Sequence, residues 1–233
     1  MTYVMSDIHG EYEKYIAMLE KIAFSDDDIL YILGDVVDRG ASPMKILYDM
    51  SMRPNIIPIM GNHEHMAEEI LRMTNVEITE ETLETHWNED IVRAVHEWYQ
   101  NGGYTTSKDF HRLSPEDREY ILDYLWEFSF YEEVTVGKNT FLLVHAGFPD
   151  FSPEKPLETY PAPLMLYAKT DYTKRYDPDR YLVTGHMPTF MIDPTYDGRI
   201  YQKNGHIAID CGACHGRALG CIRLEDFQEF YIV

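Results

Sequence analysis

Acidic, amide and imidazole side chains recur at one kind of place along this chain. Asp7 and His9 follow the run TYVM, Asp35, Asp38 and Arg39 follow DILYIL, and Asn62 and His63 follow NIIPIM. His145 follows NTFLLV and His186 follows RYLV. Residues two apart in extended chain project to the same side, so Asp7 and His9 can reach one object between them. Oxygen and imidazole donors without thiolates suit hard or borderline divalent cations such as manganese, iron, zinc or magnesium. Six such donors, Asp7, His9, Asp35, Asn62, His145 and His186, exceed the needs of one catalytic ion with open positions. They suit two ions sharing one carboxylate.

Taken singly, each residue has a simpler reading. An Asp at a strand end or an Asn before a helix commonly caps that helix. A histidine in a turn is commonly solvated or hydrogen-bonded. That reading has to hold at five strand ends together. It also leaves unexplained the neighbouring Gly10, Gly34, Gly40, Gly61, Gly147 and Gly185, which suit a backbone brought close to a ligand.

The elements that must position these groups show in the hydrophobic pattern. The runs are apolar at nearly every position, as in sheets covered on both faces. The stretches 11–23, 43–52 and 63–73 read as helices. Strand, turn and helix in repetition predict an α/β fold with parallel strands. In open α/β sheets, ligands bind beyond the carboxyl ends of the strands. Residues from about 64 to 127 read as a helical insertion. Within it EDIVRAVHEWYQ stops at Asn101-Gly102-Gly103, and SPEDREYILDYLWEF starts with Ser114 as N-cap and Pro115 in the first turn. Beyond residue 128, FYEEVTV, NTFLLV, HIAID, LGCIRL and EFYIV predict a second, largely antiparallel sheet. The Pro-rich stretch 148–165 predicts an ordered surface loop. The expected architecture is α/β, two packed mixed β-sheets flanked by helices, as a single domain over 1–233 with the insertion at about 64–127.

With 233 residues and 45% hydrophobic composition the chain can bury a sizeable core. No run reaches the length of a membrane span. The formal net charge of −20 repels nucleic-acid backbones and anionic membranes, so neither is an expected partner. The first residues enter a strand with no basic or apolar leader, which predicts a cytoplasmic location. Cys211, Cys214 and Cys221 are odd in number and clustered, which argues against a disulfide scaffold. CGACH, 211–215, matches the C-x-x-C-H pattern of covalent haem attachment, chemistry that belongs outside the cytoplasm. It is read instead as a turn between strands.

The blocks SDIHG, GDVVDRG, GNHE, HAG and TGH, in this order from residue 6 to 186, resemble the signatures of the calcineurin-like metallophosphoesterases. Gly34–Gly40 and Gly61–Glu64 resemble the phosphoprotein phosphatase branch, bacterial serine/threonine phosphatase type. That branch also holds bacterial diadenosine tetraphosphate hydrolases. The NGG with Thr105 resembles bacterial members too. The resemblance implies two divalent metal ions, manganese first, with iron, zinc or magnesium as alternatives. Asp7 and His9 would hold one, Asn62, His145 and His186 the other, and Asp35 both. The ions would polarise the phosphoryl oxygens and acidify a shared water. His63 is implied as the acid for the leaving oxygen, with Asp38 orienting it. Arg39 is implied as a phosphate grip, with Asn62 beside it. Glu64 is expected to be structural.

Ser6 departs from the glycine common before the first Asp, and the family's second phosphate arginine has no match at its usual spacing. Lys169, after Tyr167, takes the expected position, and Arg175 is its rival. No role is assigned to His65, His86, His96, His111, His206 or His215. The implied function is dinuclear metal-dependent phosphoester hydrolysis, on phosphoserine and phosphothreonine in proteins or on phosphotyrosine. Symmetric cleavage of diadenosine tetraphosphate and a catalytically silent phosphate-binding regulatory module are the alternatives. The oligomeric state is left open.

Overall fold

Three parallel strands lead the chain. They are β1 (Thr2–Met5), β2 (Ile29–Ile32) and β3 (Ile56–Pro58), joined by helices α1 (Tyr12–Lys21) and α2 (Pro43–Ser51). Met5 lies opposite Ile32, and Leu30 opposite Ile56. The structure, a computed structural model, describes residues 1–77, 79–85 and 87–233, the side chains of 83–85 excepted. His86, with no assigned role, lies outside them.

The stretch read as an insertion carries α3 (Asn62–Thr74), α4 (Glu80–Thr85), α5 (Glu89–Gln100), α6 (Tyr104–Phe110) and α7 (Pro115–Trp126). The Ser114 hydroxyl accepts from the Asp117 N–H at 3.1 Å and Pro115 opens α7, as expected from sequence. The second sheet uses β4 (Tyr131–Val136), β5 (Asn139–Val144), β6 (Arg180–Thr184), β7 (Tyr201–Lys203) and β8 (His206–Ala208). Short helices α8 (Ala162–Met165) and α9 (Thr189–Ile192) interrupt its loops. The chain closes with β9 (Leu219–Arg223) and β10 (Gln228–Ile232).

The sheet orders are β10-β9-β1-β2-β3 and β4-β5-β6-β8-β7. Both are mixed, and this corrects one expectation. The hairpin β9-β10 does not join the second sheet; β9 runs antiparallel to β1, with Val4 opposite Ile222. The second sheet is only partly antiparallel, since β5, β6 and β8 are parallel neighbours. The hairpin is apolar on both faces, so its pattern marks strands without marking which sheet they join.

Alternation explains the continuous apolar runs. Tyr3, Met5, Leu30 and Ile32 face the helices, against Met18, Ile46 and Leu47. Val4, Tyr31 and Leu33 face the other sheet, against Phe141, Leu143, Val183 and Ile207. Leu142, Val144 and Leu182 turn outward and are covered by Phe148, Leu157, Tyr160 and Met165 of the Pro-rich loop. Trp98, Phe110, Ile121 and Leu125 join the helix-side core, which fixes the inserted helices to the first sheet. No helix among the described residues is long and apolar enough to cross a membrane.

Candidate functional site

Beyond the strand ends the loops continue to pair. Asp7 N–H donates to Gly34 O at 3.0 Å, His9 N–H to Asp35 O at 2.8 Å, and Gly185 N–H to His145 O at 2.8 Å. This registry brings five turns distant in sequence to one place. The backbone there is strained: Asp7, His9, Asp35, Asp38, Arg39 and His186 all have φ between 46° and 68°. Each non-glycine residue held so costs on the order of 1 kcal/mol or more, and such costs concentrate at functional sites. A Cβ on Gly185 would overlap Ser6 Oγ and Asp7 Oδ2, so those side chains would have to move.

Glu64 holds the strained turn, confirming its structural reading. Its fully buried carboxylate accepts N–H bonds from Asp35 at 2.7 Å, Val36 at 2.7 Å, Val37 at 3.0 Å and Gly61 at 3.1 Å. Burial, with Asp35 nearby, pushes its pKa up to about 7. Glu64→Gln would turn an amide NH2 toward those donors. The expected loss is roughly 1–3 kcal/mol of stability, read as a lower urea midpoint. An unchanged midpoint would remove Glu64 from this role.

The imidazoles are set as ligands. His9 Nδ1 lies 2.8 Å from Val37 O and His145 Nδ1 2.7 Å from Leu33 O, so those nitrogens carry the protons. The Nε2 lone pairs are thereby aimed inward. His145 Nε2 lies 2.9 Å from Asn62 Oδ1, 3.4 Å from Asp35 Oδ1 and 3.2 Å from His186 Nδ1. Asn62 Oδ1 is also 2.9 Å from His186 Nδ1. Acceptors outnumber protons at this point, and a cation is what such a surplus suits. Burial lowers the pKa of His9 to about 3 and of His186 to about 4, so both are neutral lone-pair donors at neutral pH.

The carboxylates agree. Burial pushes Asp35 up, but His145, His63 and His9 outweigh it and hold its pKa below the usual carboxylate range. Burial, then the charges of Asp210 and Asp35, raise Asp7 well above that range. Burial pushes Asp210 up to about 7, with Asp35 adding to the rise. Three carboxylates in one dry space are a cost that bound divalent ions would remove. The donor set fits divalent metal ions.

Among the described residues, two clusters have donor atoms within 4.8 Å of one another: His9, Asp35 and His63, and Asp35, His145 and His186. Asp35 belongs to both, the shared position expected for it. Asn62 joins the second through its Oδ1. Asp7 lies in neither; its oxygens accept from the Ser6 hydroxyl and from the His186 N–H, the latter at 3.0 and 3.2 Å. His63 stands beside Asp35 in the first, its Nε2 3.9 Å from Asp35 Oδ2.

His63 Nδ1 lies 2.7 Å from Asp38 Oδ2, and both side chains are buried. Burial lowers the His63 pKa, but Asp38 and Asp35 outweigh it and hold it above its ordinary value. Arg39 spans the opening, with Nη1 2.7 Å from His9 Nε2 and Nη2 3.0 Å from His63 Nε2. Among the described residues no ion pair joins Arg39 to Asp35 or Asp38. Cys214 Sγ accepts from Arg39 Nη1 at 3.4 Å. The CGACH segment is a turn, with Ala213–His215 in a short 3-10 helix and its cysteines free.

Tyr167 is half exposed, edge-on to the His186 ring at 6.4 Å. Ala168 and Thr170 pack against Gly147, and Lys169 between them is exposed. Arg175 is committed elsewhere, its Nε 3.0 Å from Asp177 O and Nη2 2.7 Å from Pro178 O. Asp210, Trp98 and Thr106 are site neighbours that sequence reasoning missed. Asp210 carried a usable signal, since it too ends an apolar run, HIAID, two residues before a glycine.

The model of the calcineurin-like phosphoesterase family matches residues 2–209. The chain is 25% identical over 277 aligned positions to the symmetrical bis(5'-nucleosyl)-tetraphosphatase of Salmonella arizonae, covering 98% of this chain and 93% of that protein. It is 29% identical over 154 residues to serine/threonine-protein phosphatase 2 of Salmonella typhimurium, covering 64% of this chain and 60% of that relative. A tetraphosphatase of Buchnera aphidicola is 43% identical over 65 residues, 27% of this chain and 24% of that protein's length. The crystal structure of a candidate diadenosine tetraphosphatase superposes with a TM-score of 0.64 at 13% identity, covering 99% of this chain and 92% of that one. That likeness concerns the fold. With the family model matched from the first strand through β8, and a donor set suited to divalent metal ions at the strand ends, this chain belongs to the calcineurin-like phosphoesterase family.

Proposed function

We propose that the protein is a dinuclear metal-dependent phosphoester hydrolase acting on phosphoserine and phosphothreonine in proteins, with phosphotyrosine as a further substrate. The observation that carries this reading is the position of Asp35 in two donor clusters beside the His63–Asp38 pair. His9, Asp35, Asn62, His145 and His186, with Asp7 behind them, would hold two ions, manganese first. Bound there, the ions supply Lewis-acid activation of the phosphoryl group and of water. Arg39 presents a planar fork of donors to phosphoryl oxygens. His63, held by Asp38 through Nδ1, delivers the Nε2 proton to the leaving oxygen. An alkoxide from serine or threonine needs that proton.

One observation favours a monoester over a tetraphosphate. Among the described residues, Arg39 is the cation within hydrogen-bonding distance of the donor cluster, and the chain as a whole carries −20. A tetraphosphate brings several further negative charges. The second reading, symmetric tetraphosphate cleavage, draws on the tetraphosphatase relative that aligns across 98% of this chain. A panel comparing phosphoserine and phosphotyrosine peptides with diadenosine tetraphosphate tests the choice. Higher kcat/KM on the peptides is expected; faster cleavage of the tetraphosphate would overturn the reading.

Lys169 is proposed as the second phosphate cation. Lys169→Ala is expected to lower kcat/KM about tenfold, as for loss of one charge-assisted hydrogen bond, with Lys169→Arg retaining most activity. Arg175→Ala should cost stability and leave kcat/KM unchanged. If Lys169→Ala is silent, Arg39 and the ions hold the phosphate without it.

A further inference from the structure

The inserted helices reach into the acid pair. Asp38 Oδ2 accepts not only from His63 but from the Trp98 indole N–H of α5 at 2.9 Å. Asp38 Oδ1 accepts from the Thr106 hydroxyl of α6 at 2.6 Å. The same hydroxyl oxygen accepts from the Asp38 backbone N–H at 2.8 Å. Trp98, Thr106 and Asp38 are all fully buried or nearly so.

The turn between the two helices closes on the next residue. Gly102 O accepts from the Arg39 N–H at 3.0 Å. A Cβ on Gly102, at φ +102°, would stand 2.7 Å from Arg39 Cγ, and one on Gly103 would strike the Trp98 ring. Asp38 and Arg39 are consecutive left-handed residues, with φ of 68° and 66°. Their own loop does not favour that conformation. Trp98, Gly102 and Thr106 of the insertion supply partners that hold these two residues.

We infer that Trp98 and Thr106 are positioning residues for phosphoester cleavage. They fix the Asp38 carboxylate so that the His63 ring keeps its proton on Nδ1 and aims Nε2 at the leaving oxygen. The helical insertion is therefore a working part of the acid. This rests on the reading of His63 as the leaving-group acid. A carboxylate with three side-chain donors has a single orientation. Without the indole and hydroxyl it can rotate, and the imidazole with it. Among the described residues neither belongs to a donor cluster, and the indole N–H and the hydroxyl bond to Asp38, so neither is expected to bind metal.

The test uses Trp98→Phe, Thr106→Val and Thr106→Ser in the full chain, with His63→Asn as reference. Each is assayed on phenyl phosphate, a poor leaving group, and on p-nitrophenyl phosphate, a good one. Trp98→Phe and Thr106→Val are expected to lower kcat on phenyl phosphate about tenfold each, with KM unchanged and a smaller loss on p-nitrophenyl phosphate. Thr106→Ser should restore the ratio of the two rates.

A second readout needs no turnover. In the metal-free protein the His63 Nδ1 proton, bonded to Asp38, should give a protected downfield proton resonance that His63→Asn removes. Trp98→Phe and Thr106→Val should weaken or shift it, and Thr106→Ser should return it. If His63→Asn shows leaving-group dependence while Trp98→Phe and Thr106→Val lose both rates equally and keep the resonance, the positioning role is wrong. If His63→Asn itself shows no leaving-group dependence, the acid reading fails first. Should Trp98→Phe fold poorly, the Thr106 pair decides alone.

Discussion

Asp35→Asn is expected to abolish turnover, by about a thousandfold or more, which corresponds to roughly 4 kcal/mol of lost transition-state stabilisation. Asp35 is the residue common to both donor clusters. Its oxygens stand 3.4 Å from His145 Nε2 and 3.6 Å from His9 Nε2. Replacing one oxygen by NH2 turns a donor toward lone pairs and removes the negative charge both clusters share. Both ions are expected to be lost or weakly held, so metal content should fall with activity. The fold should survive, because Oδ1 can still accept from the His63 N–H now at 3.1 Å. Full metal content with less than a tenfold loss would contradict the shared role.

His63→Asn is expected to give the other large loss, on the order of a hundredfold to ten-thousandfold on alkyl phosphoesters, the usual range for a general acid. Phosphoserine peptides should suffer most, because an alkoxide leaves only with a proton. p-Nitrophenolate leaves without one, so that substrate should lose far less. Asp38→Asn should reproduce the pattern with metal content intact, since Asp38 touches His63 and not the other donors. Equal losses on both substrates would place His63 in metal binding, where its Nε2, 3.9 Å from Asp35 Oδ2, already points.

Much of this site was legible in the sequence because its physics is local. A buried parallel strand reads as an apolar run, and the turn after it carries whatever chemistry the sheet end presents. Asp7, His9, Asp35, Asn62, His145 and His186 follow such runs, and the structure gathers them. What stayed hidden was long-range. The hairpin β9-β10 pairs with β1 across the whole chain, and its apolar faces do not state a partner. β7 has three residues, too few for a period. Trp98 and Thr106 lie in amphipathic helices, where an aromatic at helical spacing is ordinarily core. Only the fold shows that the polar edge of that core atom meets Asp38.

The positions of Lys169 and Arg175 make the same point. Their spacing from Tyr167 does not distinguish them. In the structure the Arg175 guanidinium donates to the carbonyls of Asp177 and Pro178, while Lys169 is exposed.

The most direct measurement is hydrolysis of p-nitrophenyl phosphate by chelated, metal-free protein as manganese is titrated back, with bound metal counted by elemental analysis at each point. No activity in the stripped protein is expected, and a rise to a plateau at two bound ions per chain. A plateau at one ion, or full activity in the stripped protein, would contradict the dinuclear centre built on Asp35.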